Sequence, residues 1–474
     1  MADTLAIENG TVLPMTRDGG IIDGGHVLIE GDRIAAVARG PAPDRPGLQR
    51  LDARGGIIMP GLVDAHAHAG HALTKSLGTS AREWMGLAGD IYARATDSGF
   101  WRAEAALSAL ERLRCGTTTA ALLMGGGPDV MRTETPEAAE AHLDGVRAVG
   151  IAEILAVGPN RPSGPLLYLD WDGNTARERP VRPRDQLAVT DALLKRHHGA
   201  AGGLTRLAVS LPVFGADDLS ANDEDGAAAL SRAAQRLARD HGVLLAQDGH
   251  RDGSIAIAEE RVGLGGPAAL FAHCIDLTPG DIAALMRCGA AVAYNPSALM
   301  SVLGRCPAPE LMEAGVPVAL GSDAPAPDRP FDLFRVMFQA HRVQARHFCD
   351  DTILPPRQVL EMATIAGAHA LGLGHEIGSL EPGKRADVIV VDARAPHLWP
   401  PAEPVHRLTR FANGADVATV VVAGRILMRD RKVLSVDEER ILDDARAAYE
   451  TMLDRAGLSS RFPPLLTPRK EPSP

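Results

Sequence analysis

The stretch "GLVDAHAHAG", residues 61–70, ends an apolar run with two histidines, His66 and His68, that lie two positions apart. Side chains at positions i and i+2 of a β-strand point to the same face. If the run is a strand, both imidazoles therefore leave it on one side, where they can bind one metal ion. An isolated H-x-H pair also fits two ordinary hydrogen-bonded histidines, so the rest of the chain decides between the two interpretations.

Eight short apolar runs follow one another along the chain, separated by stretches with helical periodicity such as 102–114, 226–240 and 278–288. This alternation predicts a (β/α)8 TIM barrel. A doubly wound open sheet is the alternative, but no G-x-G-x-x-G follows the first strand. The runs are 57–66, 116–124, 151–158, 206–214, 242–248, 269–274, 290–296 and 317–323.

Both ends of the chain show short alternating strands separated by turns. Residues 1–58 have this pattern, and it returns after about residue 376 in "GSLEPGKRADVIVVDA". We therefore expect a small composite β-sandwich built from 1–58 and 376–435, with the barrel over 59–375 inserted between them. Residues 436–474 are expected to form an amphipathic helix followed by a Pro/Ser-rich tail.

Composition limits the classes of partner. The 474 residues carry a net charge of −11 and no block of Lys or Arg, which argues against nucleic acid or an anionic membrane as a partner. The five cysteines are widely spaced, and the N-terminus has no basic signal-peptide region. Reduced thiols and a cytoplasmic location are the expectation.

Metal-ligating residue types recur at the ends of four predicted strands. His66 and His68 end strand 1, the stretch "AQDGH" ends strand 5, His273 ends strand 6 and Asp323 ends strand 8. In a TIM barrel the functional groups gather at the C-terminal ends of the strands. Imidazole and carboxylate donors that converge there predict a site for Zn²⁺ or a similar divalent ion.

Four stretches together resemble the amidohydrolase superfamily: "GLVDAHAHAG", "FAHC", "ALGSDAP" and "GSLEPGKRADVIVVD". The similar branch is that of the metal-dependent deaminases and chlorohydrolases, which includes guanine deaminase and triazine hydrolase relatives. The resemblance covers nearly the whole chain. It implies a barrel with a β-sandwich made by both termini, a small-molecule substrate and a homodimer or higher homo-oligomer.

The resemblance also implies roles for individual residues. His66 and His68 correspond to the paired metal ligands, and Asp323 to a ligand that is also the general base. His273 corresponds to the residue that holds the attacking water or the substrate. The predicted strand 4, "RLAVSLPVF", has no lysine to bridge two ions. We therefore expect one divalent ion per chain, zinc first, with iron, manganese and cobalt as alternatives.

The end of strand 5 departs from the family pattern. Deaminating relatives carry H-x-H-x-x-E there, whereas this chain has "LLAQDGHRDG". Either Asp248 or His250 can take the ligand position, because both lie on one face of the strand. We favour His250, since imidazole is the usual donor. Neither register recovers the glutamate, whose position falls on Arg251 or Gly253.

Four further residues are candidates for binding substrate. Tyr294 and Asn295, in "AYNPSAL" after strand 7, are expected to donate hydrogen bonds to it. His71 and Trp84, in the loop after strand 1, are expected to line the pocket. A solvated loop histidine and a packing role for the tryptophan are the alternatives.

The predicted function is hydrolysis of a non-peptide C–N bond in a small, cyclic or aromatic ring amide, urea, carbamate or amidine. Water activated by the metal would attack, with Asp323 as general base. The missing glutamate favours amide or urea hydrolysis over the alternatives, which are deamination or dechlorination of a nitrogen heterocycle. A catalytically silent scaffold is a further alternative, which the retained His66, His68, His273 and Asp323 oppose.

Overall fold

A computed structural model describes residues 4–126, 131–161, 167–220, 226–298 and 300–462. These residues form strands in three sheets: a terminal sheet, a two-stranded hairpin and a barrel. The strands are β1 (Thr4–Val12), β2 (Ile22–Glu30), β3 (Arg33–Arg39), β4 (Leu48–Asp52), β5 (Ile57–Pro60), β6 (Leu62–His68), β7 (Thr117–Met124), β8 (Ala152–Val157), β9 (Leu167–Asp172), β10 (Thr175–Pro180), β11 (Thr205–Ser210), β12 (Leu245–Gln247), β13 (Ala269–Ala272), β14 (Ala291–Tyr294), β15 (Val318–Leu320), β16 (Val388–Val391), β17 (Val417–Val422), β18 (Arg425–Arg429) and β19 (Lys432–Val433).

The helices of the described residues mostly cover the outside of the barrel. They are α1 (Ala81–Arg94), α2 (Ser98–Arg114), α3 (Glu137–Val149), α4 (Pro183–His197), α5 (Ala216–Ser220), α6 (Ala227–His241), α7 (Ser254–Val262), α8 (Pro279–Cys288), α9 (Met300–Leu303), α10 (Ala308–Glu313), α11 (Leu333–Phe348), α12 (Pro356–Met362), α13 (Ile365–Ala370), α14 (Pro404–Arg410) and α15 (Glu438–Ala456). In the described part of the chain, no helix is both long and apolar enough to cross a membrane.

The barrel sheet pairs eight strands in the order β6-β7-β8-β11-β12-β13-β14-β15, and every pairing is parallel. Most strand residues are buried, as expected for parallel strands covered on both faces. Between the last and first strands, Asp323 N donates to His66 O over 2.9 Å. The predicted (β/α)8 barrel is confirmed, and each strand overlaps its predicted run.

The terminal sheet joins both ends of the chain, as predicted. β16, from the C-terminal part, pairs antiparallel with β5, from the N-terminal part. The first predicted run is thereby divided between two sheets: Ile57–Pro60 belongs to the terminal sheet and Leu62–His68 to the barrel. Gly61 lies at this junction, where an added Cβ would come within 2.1 Å of Thr118 Oγ1. The domain boundaries at 58, 375 and 435 stay predictions.

The hairpin β9–β10 and the helix α15 pack against helices outside the barrel sheet. The hairpin β9–β10, which the sequence did not predict, follows β8 and lies against α1, where Trp171 Nε1 donates to Arg94 O over 2.7 Å. The predicted C-terminal helix forms as α15, begins after the N-cap Asp437 and packs on α2. Residues 463–474, most of the predicted tail, lie outside the described residues.

Candidate metal centre

The strand β6 ends in His66 and His68, both buried. Their side chains leave the strand on the same side, and the two rings lie edge to face with centroids 5.0 Å apart. This is the arrangement that the i, i+2 spacing predicts. The pair thus offers two imidazole nitrogens at the C-terminal end of the barrel.

Three more side chains reach this pair from other strand ends. Asp248 directly follows β12, His273 directly follows β13, and Asp323 follows β15 by three positions. The imidazole Nε2 atoms and the carboxylate oxygens then approach closely: His66–Asp248 3.4 Å, His68–Asp248 3.4 Å, His273–Asp248 2.7 Å, His68–Asp323 3.1 Å, His66–Asp323 3.7 Å and His273–Asp323 3.9 Å.

Hydrogen bonds from the backbone and the side chain of Ser322 hold the loop after β15 against β6. Asp64 accepts from Ser322 N over 2.8 Å and from Ser322 Oγ over 2.5 Å. Asp323 itself has a positive φ of 63°. The left-handed backbone turns its carboxylate toward the two β6 histidines. Asp64 lies two positions before His66 on the same strand, so the i, i+2 spacing of the sequence already places it on the face of His66 and His68.

The cluster is strongly coupled electrostatically. Burial disfavours a charged imidazole, but the carboxylates of Asp248 and Asp323 outweigh it and raise the pKa of His66 to about 9. Burial also disfavours a charged carboxylate, yet the neighbouring histidines hold the pKa of Asp248 and of Asp323 well below the usual range. Protons therefore compete with any metal ion for the imidazoles.

His250, which we favoured as the strand 5 ligand, lies outside this cluster. β12 ends at Gln247, and Gly249 at φ 95° turns the chain, so strand alternation no longer applies to His250. Its Nδ1 lies 3.0 Å from Ser254 Oγ and its Nε2 lies 3.2 Å from Gln247 Oε1. Burial lowers the pKa of His250 to about 3. Of the two strand 5 candidates, Asp248 is the one whose carboxylate lies in the cluster.

Tyr294 also points away from the barrel interior, against expectation. Its hydroxyl accepts from Gln344 Nε2 over 3.1 Å and lies 3.4 Å from Ala340 O, both on α11. Alternation along the strand then turns the next residue, Asn295, inward. Its Oδ1 would lie 2.3 Å from a Cβ added at Gly321, a position that also adjoins His66. Neither amide atom of Asn295 has a hydrogen-bond partner among the described residues.

His71 and Trp84 are buried beside the β6 histidines, rather than solvated. The His71 ring centroid lies 5.3 Å from that of His68 and 5.0 Å from that of Trp84. Tyr92 OH lies 2.9 Å from His71 Nδ1 and fixes the ring. The rings of His71 and Trp84 form an aromatic wall next to the cluster.

Sequence reasoning also missed Arg329, which lies in the loop after β15. Its Nη1 is 3.3 Å from Asp323 Oδ2. No periodicity connects an arginine six positions after the strand-end aspartate to the site, so only the folded loop reveals the contact. Arg251, at one of the two positions expected for the family's glutamate, is exposed.

The donor set fits a divalent metal ion. Two groups of buried residues have ligand atoms within 4.8 Å of one another: His66, His68 and Asp248, and His66, His273 and Asp323. His66 Nε2 and Asp248 Oδ1 make no hydrogen bond of good geometry within the described part of the chain. Buried polar atoms in native proteins are normally satisfied. An ion bound by imidazole nitrogens and carboxylate oxygens would satisfy these.

Residues 57–427 match the model of the Amidohydrolase family. A 5-methylthioadenosine/S-adenosylhomocysteine deaminase of Syntrophobacter fumaroxidans is 32% identical, over 95% of this chain and 98% of that protein. A 5'-deoxyadenosine deaminase of Methanosarcina mazei is 31% identical, over 96% of this chain and 99% of that protein.

The fold is also similar to a solved structure. An adenosine deaminase from Xanthomonas campestris with bound zinc superposes with a TM-score of 0.78, at 21% identity, over 95% of this chain and 98% of that one. At this identity the likeness concerns the architecture of the barrel and its terminal sheet.

Proposed function

The chain belongs to the amidohydrolase family, and we propose that it uses one bound divalent ion to hydrolyse a C–N bond of a small nitrogen heterocycle. The observation that carries this proposal is the buried convergence of three imidazoles and two carboxylates at the C-terminal end of the barrel. A catalytically silent scaffold would have no reason to keep such a cluster, because uncompensated buried charges are costly.

We propose His66, His68, Asp248 and Asp323 as the ligands of one zinc ion. Two nitrogens and two oxygens are donors that zinc accepts, and the water would take a fifth position, to which catalytic zinc sites can expand; carboxylate oxygens also suit iron, manganese and cobalt. Such an ion would supply a Lewis acid that makes a water molecule nucleophilic near neutral pH.

The proposed roles in catalysis belong to groups around that ion. Asp323 Oδ1 faces the imidazoles, so Oδ2 is left to accept the proton of the attacking water and pass it to the departing nitrogen. His273 Nε2 would hold the substrate or the water and stabilise the charge that develops on attack. Asn295 and the aromatic wall of His71 and Trp84 would orient a planar substrate.

We favour deamination of an aminated heterocycle. Support comes from two relatives that deaminate adenosine derivatives and match at least 95% of this chain. Hydrolysis of a ring amide or urea is the second candidate, and one observation favours it. The exposed Arg251 at an expected glutamate position leaves no glutamate on this strand end to protonate a ring nitrogen. A cytoplasmic homo-oligomer remains part of the proposal from the resemblance alone.

A substrate screen tests the proposal. Metal-loaded protein is incubated with aminopurines, aminopyrimidines and aminotriazines, and separately with cyclic amides, ureas and carbamates. Ammonia release and substrate loss are measured independently. Ammonia release in step with loss of an aminated heterocycle is the expected result, whereas substrate loss without ammonia would support ring opening.

Asp323→Asn is the control for chemistry at the site. It keeps the side-chain volume but removes the base, and loss of such a group typically costs about 10²–10⁴-fold in rate. Turnover close to that of the wild type in a folded Asp323→Asn variant would contradict the mechanism. A metal-loaded protein inactive on all compound classes would favour the silent scaffold.

A further inference from the structure

We propose that Arg329 is a positioning residue for Asp323, which fixes the orientation of that carboxylate in the metal-binding cluster. The inference rests on the proposed function, because it adds a residue to the same site. Arg329 lies in the loop after β15, and its side chain is buried, with only 8% of the residue exposed. A buried guanidinium needs partners that offset the cost of its desolvation.

Among the described residues, the hydrogen-bond and ion-pair partners of Arg329 belong to its own loop. Nη1 donates to Ala324 O over 2.6 Å and approaches Asp323 Oδ2 to 3.3 Å, while Nη2 lies 3.3 Å from Asp328 Oδ1. The backbone N of Arg329 donates to Pro325 O over 2.8 Å, so the loop folds back on itself. The guanidinium is thereby held against the strand-end aspartate.

This contact makes the two oxygens of Asp323 unequal. Oδ1 is the oxygen nearest His68 Nε2, at 3.1 Å, whereas Oδ2 faces Arg329. The χ2 torsion of an aspartate is broad, so the side chain by itself does not fix which oxygen faces the imidazoles. An ionised carboxylate oxygen accepts more than one hydrogen bond. Arg329 can therefore hold Oδ2 and still leave room there for a proton.

The positive charge of Arg329 also helps to hold the Asp323 carboxylate. Asp248 and Asp323 together balance the charge of a divalent ion, and the guanidinium charge lies between Asp323 and the exposed Asp328. A positive charge beside Oδ2 attracts the ionised carboxylate and holds it in place. Nη1 and Nη2 of Arg329 face Ala324, Asp323 and Asp328, so these two nitrogens orient the ligand. Nε has no hydrogen-bond partner among the described residues, and a change in KM on substitution shows whether it binds substrate.

The test uses Arg329→Gln and reads metal release without any substrate. Zinc-loaded protein is mixed with a chromogenic chelator, and the release rate is followed by absorbance. Partners of metal ligands typically change affinity or activity by about 10–100-fold, so zinc should leave the variant faster by about that factor. On the best substrate, kcat should fall while KM stays within about twofold, because an orienting group acts on the chemical step.

Asp328→Asn is the matched control, since it removes only the exposed partner of the same guanidinium. An ion pair with an exposed carboxylate contributes little, so the rate of zinc release from this variant should stay near that of the wild type. Added guanidinium ion should lower the rate of zinc release from Arg329→Ala part of the way toward the wild-type rate. A general loss of packing would not be reversed in this way. Arg329→Lys keeps the charge but loses the planar fork, and it should be intermediate.

The proposal would be overturned if Arg329→Gln released zinc at the wild-type rate. If the glutamine variant does not fold, the same result in Arg329→Lys would overturn it. A rise in KM with unchanged kcat and zinc release would also overturn it, because Arg329 would then bind substrate. Since zinc release needs no substrate, its result is independent of whether the proposed C–N hydrolysis is found.

Discussion

Asp248 and Asp323 place two carboxylates beside three imidazoles in one buried cluster. Nitrogen ligands suit zinc, copper, iron and nickel, whereas carboxylates also suit harder ions such as manganese. At the scale of single residues, the choice of metal therefore depends on how many of these carboxylate oxygens reach the ion. Asp248 decides this, because its two oxygens face different histidines: Oδ1 faces His66 and His273, and Oδ2 faces His68.

Alanine replacements at Asp248 and His250 should therefore have unequal effects. Asp248→Ala removes a cluster donor, so the purified variant should hold much less than one ion per chain. His250→Ala removes a side chain that contacts Ser254 and Gln247, so it should keep its metal although it loses some stability. Elemental analysis of both folded variants measures this. Full metal content in Asp248→Ala, or loss of metal only in His250→Ala, would contradict the assignment.

The spacing of residues in the sequence predicts the site only where its residues lie inside regular strands. The i, i+2 rule found His66 and His68 because both lie inside β6. It does not apply to His250, because β12 ends three residues earlier and Gly249 turns the chain. It also did not distinguish Tyr294 from Asn295, since a sequence does not say which face of a buried strand turns inward. Arg329 could not be predicted, because loop geometry brings it to Asp323.

At the scale of elements, a buried charge cluster joins α2, α3 and β8 behind the metal centre. His142 Nε2 lies 2.7 Å from Glu153 Oε1, and His142 Nδ1 lies 3.7 Å from Glu104 Oε2. Glu104 in turn accepts a hydrogen bond from Ala72 N, in the loop that carries His71. The cluster therefore connects the outer helices to the aromatic wall of the site.

The stability that the His142 cluster contributes should decrease as the pH rises. Burial opposes a charged His142, but Glu153 and Glu104 outweigh it and raise its pKa to about 9. The unfolded value is about 6.5, so the stabilisation is fully present below that pH and is lost as pH rises through about 9. The melting temperature of the wild type should exceed that of His142→Gln most near pH 6, and the gap should narrow toward pH 10.

His397→Gln is the control for this comparison. It removes a histidine–aspartate pair, with Asp416 at 2.9 Å, whose histidine side chain is 44% exposed. Its melting curve should follow that of the wild type much more closely than that of His142→Gln does, because solvent around the exposed imidazole weakens its pair with the buried Asp416. A gap between wild type and His142→Gln that stays constant or widens with pH would show that His142 is neutral in the folded protein.

Element prediction succeeded where burial dominates the sequence. The barrel strands are nearly continuous apolar runs, so all eight could be located. The hairpin β9–β10 was missed because β10, "TARERP", is polar and fully exposed along its length. The division of one apolar run into β5 and β6 was missed as well, because two consecutive buried strands in different sheets have the same composition as one long strand.

At the scale of the whole molecule, the metal centre lies where both ends of the barrel sheet meet. β6 and β15 are the first and last barrel strands in the chain, and their ends carry His66, His68 and Asp323. An ion bound by these residues and Asp248 would link the two edges of the sheet. Because a ligand that binds only the folded state stabilises it by mass action, metal should raise the melting temperature of the entire barrel.

Titration of metal-free protein with zinc tests the central claim most directly, with turnover and melting temperature measured at each ratio of zinc to chain. Both should rise together and reach a plateau at about one ion per chain, because the proposed ligands form one cluster in which His66 belongs to both groups of donors. A plateau at about two ions per chain would contradict the single-ion site. Turnover in the metal-free protein equal to that at the plateau would contradict metal-dependent hydrolysis itself.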